Sequence, residues 1–322
     1  MKKYLFLAVC CMLATGFTAC SDDDDNEGGG SGTPANNAPS VSESLGIEHL
    51  VTSTYGGEGG NATFNYSNGK MTNGVTDGNT NFVITENPLK INLSYISEYN
   101  TSISNITDIK TNSNGFVTYA KSKTEETYYE ETDSYEESIT FEYDADGHLI
   151  KQVVTETGDG YSYFYPITYT WVNGNLTKIV SIDEDEEYSY TSTYEFEYAS
   201  DASVNVNPGI FFDGMYDEYL YDFMWYAALL GKTTKNIPTK ITRKSIEKEN
   251  GEVTYESKSE ETVDVTYNPN GSVESITYTD VDYGYPSTVY YGYNGEQLES
   301  NIQAGISSKT IKSPRKMRHH RK

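Results

Sequence analysis

Cysteine is confined to the start of this chain: Cys10, Cys11 and Cys20 are the only three in 322 residues. Everything after Cys20 is therefore without a disulfide, a thiolate metal ligand or a cysteine nucleophile. Histidine is almost as scarce. His49, His148, His319 and His320 are present, no H-E-x-x-H spacing joins them, and zinc catalysis is not expected. The G-x-S-x-G elbow and the G-x-G-x-x-G cradle are also missing, and Gly56-Gly57-Glu58-Gly59-Gly60 reads as a loop between strands. No cofactor is implied. Basic residues are few as well. With Lys2, Lys3 and the seven basic residues of 309–322 taken from the total of 23, the body keeps 14 Lys and Arg against 48 Asp and Glu, a net of −34. Such a surface repels nucleic acid and anionic lipid.

Long apolar runs are lacking too. The longest, Tyr4 to Ala14, is too short to span a bilayer, which takes about 20 residues. Preceded by Lys2 and Lys3 and followed by small residues up to Ala19, it reads as a signal peptide over 1–19. Phe17-Thr18-Ala19-Cys20 resembles the lipobox of bacterial lipoproteins, with Phe17 where Leu is usual, and this implies a lipid on Cys20. The run Ser21-Asp22-Asp23-Asp24-Asp25 resembles the acidic signal that sends Bacteroidetes-type lipoproteins to the outer face of the outer membrane. Residues 20–40, rich in Asp, Gly and Pro, are expected to form a tether. Residues 41–308 are expected to be a single β domain, and Lys309–Lys322 a basic disordered tail.

The body itself is rich in Tyr, with 30 in all. It alternates with period two: Tyr161, Tyr163, Tyr165, Ile167, Tyr169 and Trp171 share one parity, and Tyr188, Tyr190, Tyr194, Phe196 and Tyr198 another. One wet and one dry face is the signature of an antiparallel sheet. The turns repeat. Phe141-Glu-Tyr-Asp-Ala-Asp-Gly-His-Leu149 is echoed by Tyr169-Thr-Trp-Val-Asn-Gly-Asn-Leu176 and Val265-Thr-Tyr-Asn-Pro-Asn-Gly-Ser-Val273. Weaker copies occur at Phe64–Met71 and Thr111–Val117. Asx-Gly supplies the positive φ that tight hairpins need. The fold expected is all-β, an antiparallel hairpin meander forming a strongly curved or barrel-like sheet. One interruption stands out. Phe212, Tyr216, Tyr219, Leu220, Phe223, Tyr226, Ala227 and Leu230 recur at helical spacing, so an amphipathic helix over about 213–230, packed on the sheet, is expected.

Asp144-Ala-Asp-Gly147 begins like a calcium loop, but the strand resumes where further ligands are needed, so a hairpin turn is the better reading. Two-carboxylate chemistry needs only a suitable pair among the 48 acids. Glu125-Glu126, Glu130-Glu131-Thr-Asp133, Glu136-Glu137 and Asp183–Glu187 read instead as solvated hairpin ends, and no enzyme is expected.

Tyr143-Asp-Ala-Asp-Gly-His-Leu149 resembles the YD repeat of large bacterial surface shells, with His148 in place of the usual Arg. Together with Gly174-Asn-Leu-Thr-Lys-Ile179, Leu230-Gly-Lys-Thr-Thr-Lys-Asn-Ile-Pro238 and the leader, it resembles a lipoprotein family known only as a domain of unknown function with a porin-like fold. The resemblance implies a curved or closed antiparallel sheet and carries no catalytic residues. The expected role is an outer-membrane lipoprotein facing outward and binding glycan or a surface protein non-catalytically. The alternative is a structural accessory of the envelope; a glycoside hydrolase ranks third. Its partners would be the membrane, through the anchor, and a glycan or surface protein, but not nucleic acid.

Overall fold

The computed structural model describes residues 41, 49–56, 61–76, 80–97, 100–128, 131–158, 161–184, 187–199, 224–225 and 227–293. Cys20, the 20–40 tether and the 309–322 tail lie outside them.

Sixteen antiparallel strands form one closed barrel. They are β1 (Val51–Gly56), β2 (Ala62–Ser67), β3 (Lys70–Thr76), β4 (Thr80–Thr85), β5 (Lys90–Ile96), β6 (Asn100–Thr111), β7 (Val117–Tyr128) and β8 (Glu131–Tyr143). The second half holds β9 (Leu149–Gly158), β10 (Tyr161–Val172), β11 (Asn175–Glu184), β12 (Tyr188–Glu197), β13 (Lys240–Glu249), β14 (Glu252–Tyr267), β15 (Val273–Asp280) and β16 (Pro286–Tyr293). Each strand pairs with the next, and β1 pairs with β16, Val51 opposite Tyr293, to close the ring. The meander expected from the alternation is thus present, and closure removes every sheet edge.

A strict meander places all turns that follow even-numbered strands at one end. The repeated Asx-Gly turns are these turns. At Asn68-Gly69 and Asn173-Gly174 both residues have positive φ; at Gly115, Gly147 and Gly271 only the glycine does. The first pair are two-residue hairpins, the others wider turns closed on glycine. An aromatic donor recurs beside them. Tyr66, Tyr143, Trp171, Tyr198 and Tyr293 each close an even strand or directly follow it. Each donates a hydrogen bond to the carbonyl oxygen of Val51, Val117, Leu149, Leu176 or Val273, near the start of the preceding odd strand. The repeat read in the sequence is therefore a repeated lock between neighbouring strands.

The chain between β12 and β13 crosses this same end. The expected helix over 213–230 lies mostly outside the described residues. Only Met224 and Trp225 are helical, and a turn follows at 227–228. Met224, Trp225, Ala227 and Leu230 belong to the core, with the Trp225 ring edge-on to Tyr169 at 6.2 Å. From there the backbone touches one turn after another: Val117 N–H donates to Leu229 O, Lys232 N–H to Gly147 O, Lys235 N–H to Gly174 O and Thr239 N–H to Glu197 O. The main core cluster runs from β1 to β16 and includes Phe64, Phe82, Ile139, Phe141, Ile167, Leu176, Phe196 and Tyr291, and a small second cluster joins Val41 to Ala228. At this end the barrel is filled and sealed.

Candidate functional site

The interior changes character along the barrel. From the sealed end, the inward residues of β7 run Ala120, Ser122, Thr124, Glu126. Those of β8 run Phe141, Ile139, Glu137, Tyr135, Asp133, and those of β11 run Ile179, Ser181, Asp183. Apolar side chains fill the end crossed by the β12–β13 segment, and hydroxyls and carboxylates line the other, where the Asn250-Gly251 turn of β13–β14 also lies.

The polar layer is bonded within itself. Ser104 Oγ lies 2.7 Å from Thr124 Oγ1, and Ser122 donates to Glu137 at 3.1 Å. Glu126 accepts from Ser102 at 3.4 Å and from the Tyr135 hydroxyl at 3.3 Å. Burial pushes the Tyr135 phenol up, and Glu126 and Glu137 push it further. Across β11 to β14 the register aligns a row of four serines, Ser181, Ser192, Ser245 and Ser257. Tyr190 donates to Ser245 at 3.0 Å, and Arg243 lies over the Tyr194 ring at 5.3 Å.

Glu136-Glu137 corrects the sequence reading of acid runs as solvated ends. Glu136 faces out and pairs with Lys121 at 2.8 Å, while Glu137 faces in and is 3% exposed. Glu137 lies directly opposite Glu156 on β9, and Glu126 is likewise opposite Asp133, and Glu261 opposite Asp280. The signal that finds Glu137 is the strand alternation itself, since adjacent residues of a strand point to opposite faces.

The other predicted residues fall at the sealed end. Asp144 Oδ1 accepts the N–H groups of Asp146 and His148 at 3.0 and 2.8 Å, and its Oδ2 lies 3.0 Å from His148 Nδ1. His148 in turn stacks on Trp171 with centroids 4.5 Å apart. Asp144, Asp146 and His148 bring their ligand atoms within 4.8 Å of one another. Asp144 uses both oxygens within the turn, where they cap the β8–β9 hairpin. His49 packs edge-on against Tyr293. Trp171 and Trp225 serve packing.

Outside, β7 to β14 carry a belt of ion pairs. Lys121–Glu136, Lys151–Glu142, Lys244–Glu195, Lys240–Glu260 and Lys258–Glu260 all lie within 2.6–3.3 Å. Exposed pairs of this kind add little stability. Their consequence is different: a membrane barrel needs an apolar band there. Exposed apolar residues on the strands include Val83, Ile103, Phe164 and Val253.

Comparison with solved structures finds porin-like proteins of Bacteroides. A porin-like protein from Bacteroides vulgatus ATCC 8482 matches with a TM-score of 0.54 at 12% identity, over 77% of this chain and all of that one. A porin-like protein from Bacteroides uniformis ATCC 8492 matches at 16% identity and a TM-score of 0.49, over 78% of this chain and all of that one. The likeness is one of fold. No protein-family model matches the sequence, and no curated protein does.

Proposed function

We propose that this chain is an outer-surface lipoprotein of the Bacteroidetes type, held by a lipid on Cys20. Its barrel stands in water and presents its polar end as a non-catalytic binding surface for glycan or protein. One observation carries the reading. β1 begins and β16 ends at the sealed end, so the hydroxyls and carboxylates gather at the barrel end opposite to where the described strands start and finish. The ion-pair belt supports a barrel wall facing water. The test is a broad glycan array probed with the full mature chain, with and without calcium, beside a pull-down from outer-membrane extracts. Reproducible glycan or protein capture is expected. Silence in both overturns the reading and leaves the structural-accessory role.

A hydrolytic reading has one observation in its favour, the interior pair Glu137 and Glu156. Cleavage of captured glycan that disappears in Glu137→Gln would establish it.

A further inference from the structure

The β15–β16 hairpin turns on the polar side of the barrel, level with Glu260 of β14, and differs from the other described turns. Its tip, Val281–Tyr285, holds two tyrosines flanking Gly284, and both are 75% exposed. Their rings lie nearly parallel, 14° apart with centroids at 6.4 Å. Tyr165, Tyr169 and Tyr291 bury their rings in the core, whereas here two are held out together.

The tip is also stiff. Asp280 Oδ1 accepts the N–H groups of Asp282 and Tyr283, each at 2.8 Å. Gly284 N–H donates to Asp280 O at 2.8 Å, Asp280 N–H to Tyr285 O at 3.3 Å, and Val281 N–H to Glu260 O at 2.9 Å. Gly284 takes φ +67, a conformation that side chains oppose. Five hydrogen bonds thus fix the backbone that carries the two rings, so a partner meets a surface already ordered.

We propose that Tyr283 and Tyr285 form a stacking platform for a neutral glycan. The inference rests on the reading of the polar end as a binding surface and names its ligand and its site. A π face is electron-rich and accepts the flat C–H side of a pyranose ring, and each phenol adds a hydroxyl for the sugar's own hydroxyls. Charge selects among ligands. Asp280, Asp282, Glu260 and Glu261 surround the tip in a body of net −34, so acidic polysaccharide and nucleic acid are repelled while uncharged hydroxyls find acceptors. Two rings with a glycine between them suit a short sugar segment better than an apolar helix, which needs a continuous groove.

The experiment compares four full-length mature proteins on the same array: wild type, Tyr283→Ala, Tyr285→Ala and Asp280→Ala. Thermal melts check that each is folded, which a surface tip permits. Each tyrosine variant is expected to lose about tenfold or more in affinity for neutral glycans, as truncating an aromatic anchor commonly does. Asp280→Ala, which keeps both rings but frees the tip, is expected to weaken binding by a smaller factor. Wild-type glycan binding that survives both tyrosine substitutions overturns the site and leaves the binding role standing. A wild type that captures only protein, or only acidic glycans, overturns the ligand assignment. A wild type that captures nothing overturns both.

Discussion

Asp144 shows how much one side chain contributes to a turn. Burial works against its charge, but hydrogen bonds from the His148 amide and ring and from the Asp146 amide outweigh that and hold the carboxyl below its ordinary value. A depressed folded-state value contributes stability that is present above the unfolded value and lost as pH falls through the folded one. Asp144→Ala is therefore expected to destabilise the barrel by about 1–2 kcal/mol at pH 7, the cost typical of losing a cap. Urea melts at pH 7 and pH 3 check it: the gap between wild type and variant should narrow at pH 3. An equal gap at both pH values would mean that the charge plays no part. Gly231 is the complementary case. At φ +91 a side chain is already strained, and a Cβ would stand 2.6 Å from Gly147 O. The backbone crosses the turn so closely that only glycine fits.

At the scale of elements, the repeat is a strand ending in an aromatic, an Asx-Gly turn and a return strand. Its physical content is the lock from the aromatic to the preceding strand, so both partners are set by pairing and not by sequence distance. Tyr143 to Val117 spans the whole β7–β8 hairpin, 26 residues. The five locked aromatics are spared the cost of a buried unpaired donor. The segment from Met224 to Thr239 is the other decisive element, because its backbone bonds in succession to the start of β7, the β8–β9 turn, the β10–β11 turn and the end of β12. Leu230→Ala, which empties a fully buried position, is expected to cost about 2–5 kcal/mol. It should also speed amide hydrogen exchange at Val117, Lys232 and Lys235 together. Exchange that changes at Leu230's neighbours but not at those amides would show that the seal is not one cooperative unit.

At the scale of the whole molecule, a sixteen-stranded barrel is usually wide enough for a channel. Here the core and the crossing segment fill one end, and ion pairs occupy the outer wall. Detergent phase partitioning separates anchor from barrel. With the proposed lipid on Cys20, wild type is expected in the detergent phase and Cys20→Ser in the aqueous phase. A Cys20→Ser protein that stays with detergent would place the barrel itself in lipid.

Fold class was legible in the residues because period-two alternation and Asx-Gly turns are local, and each fixes its own strand or hairpin without distant help. The sequence also determined the inward face of β10 and β12, which is a matter of parity alone. Three things waited for the tertiary structure. Closure depends on β1 meeting β16, residues some 240 apart in the chain. Which end is sealed depends on where the β12–β13 segment docks, and helical spacing in 213–230 does not encode that. The candidate site is non-local in the same way. Glu137 opposite Glu156, and Tyr283 beside Tyr285 at the end away from the termini, acquire meaning only once the barrel has two ends.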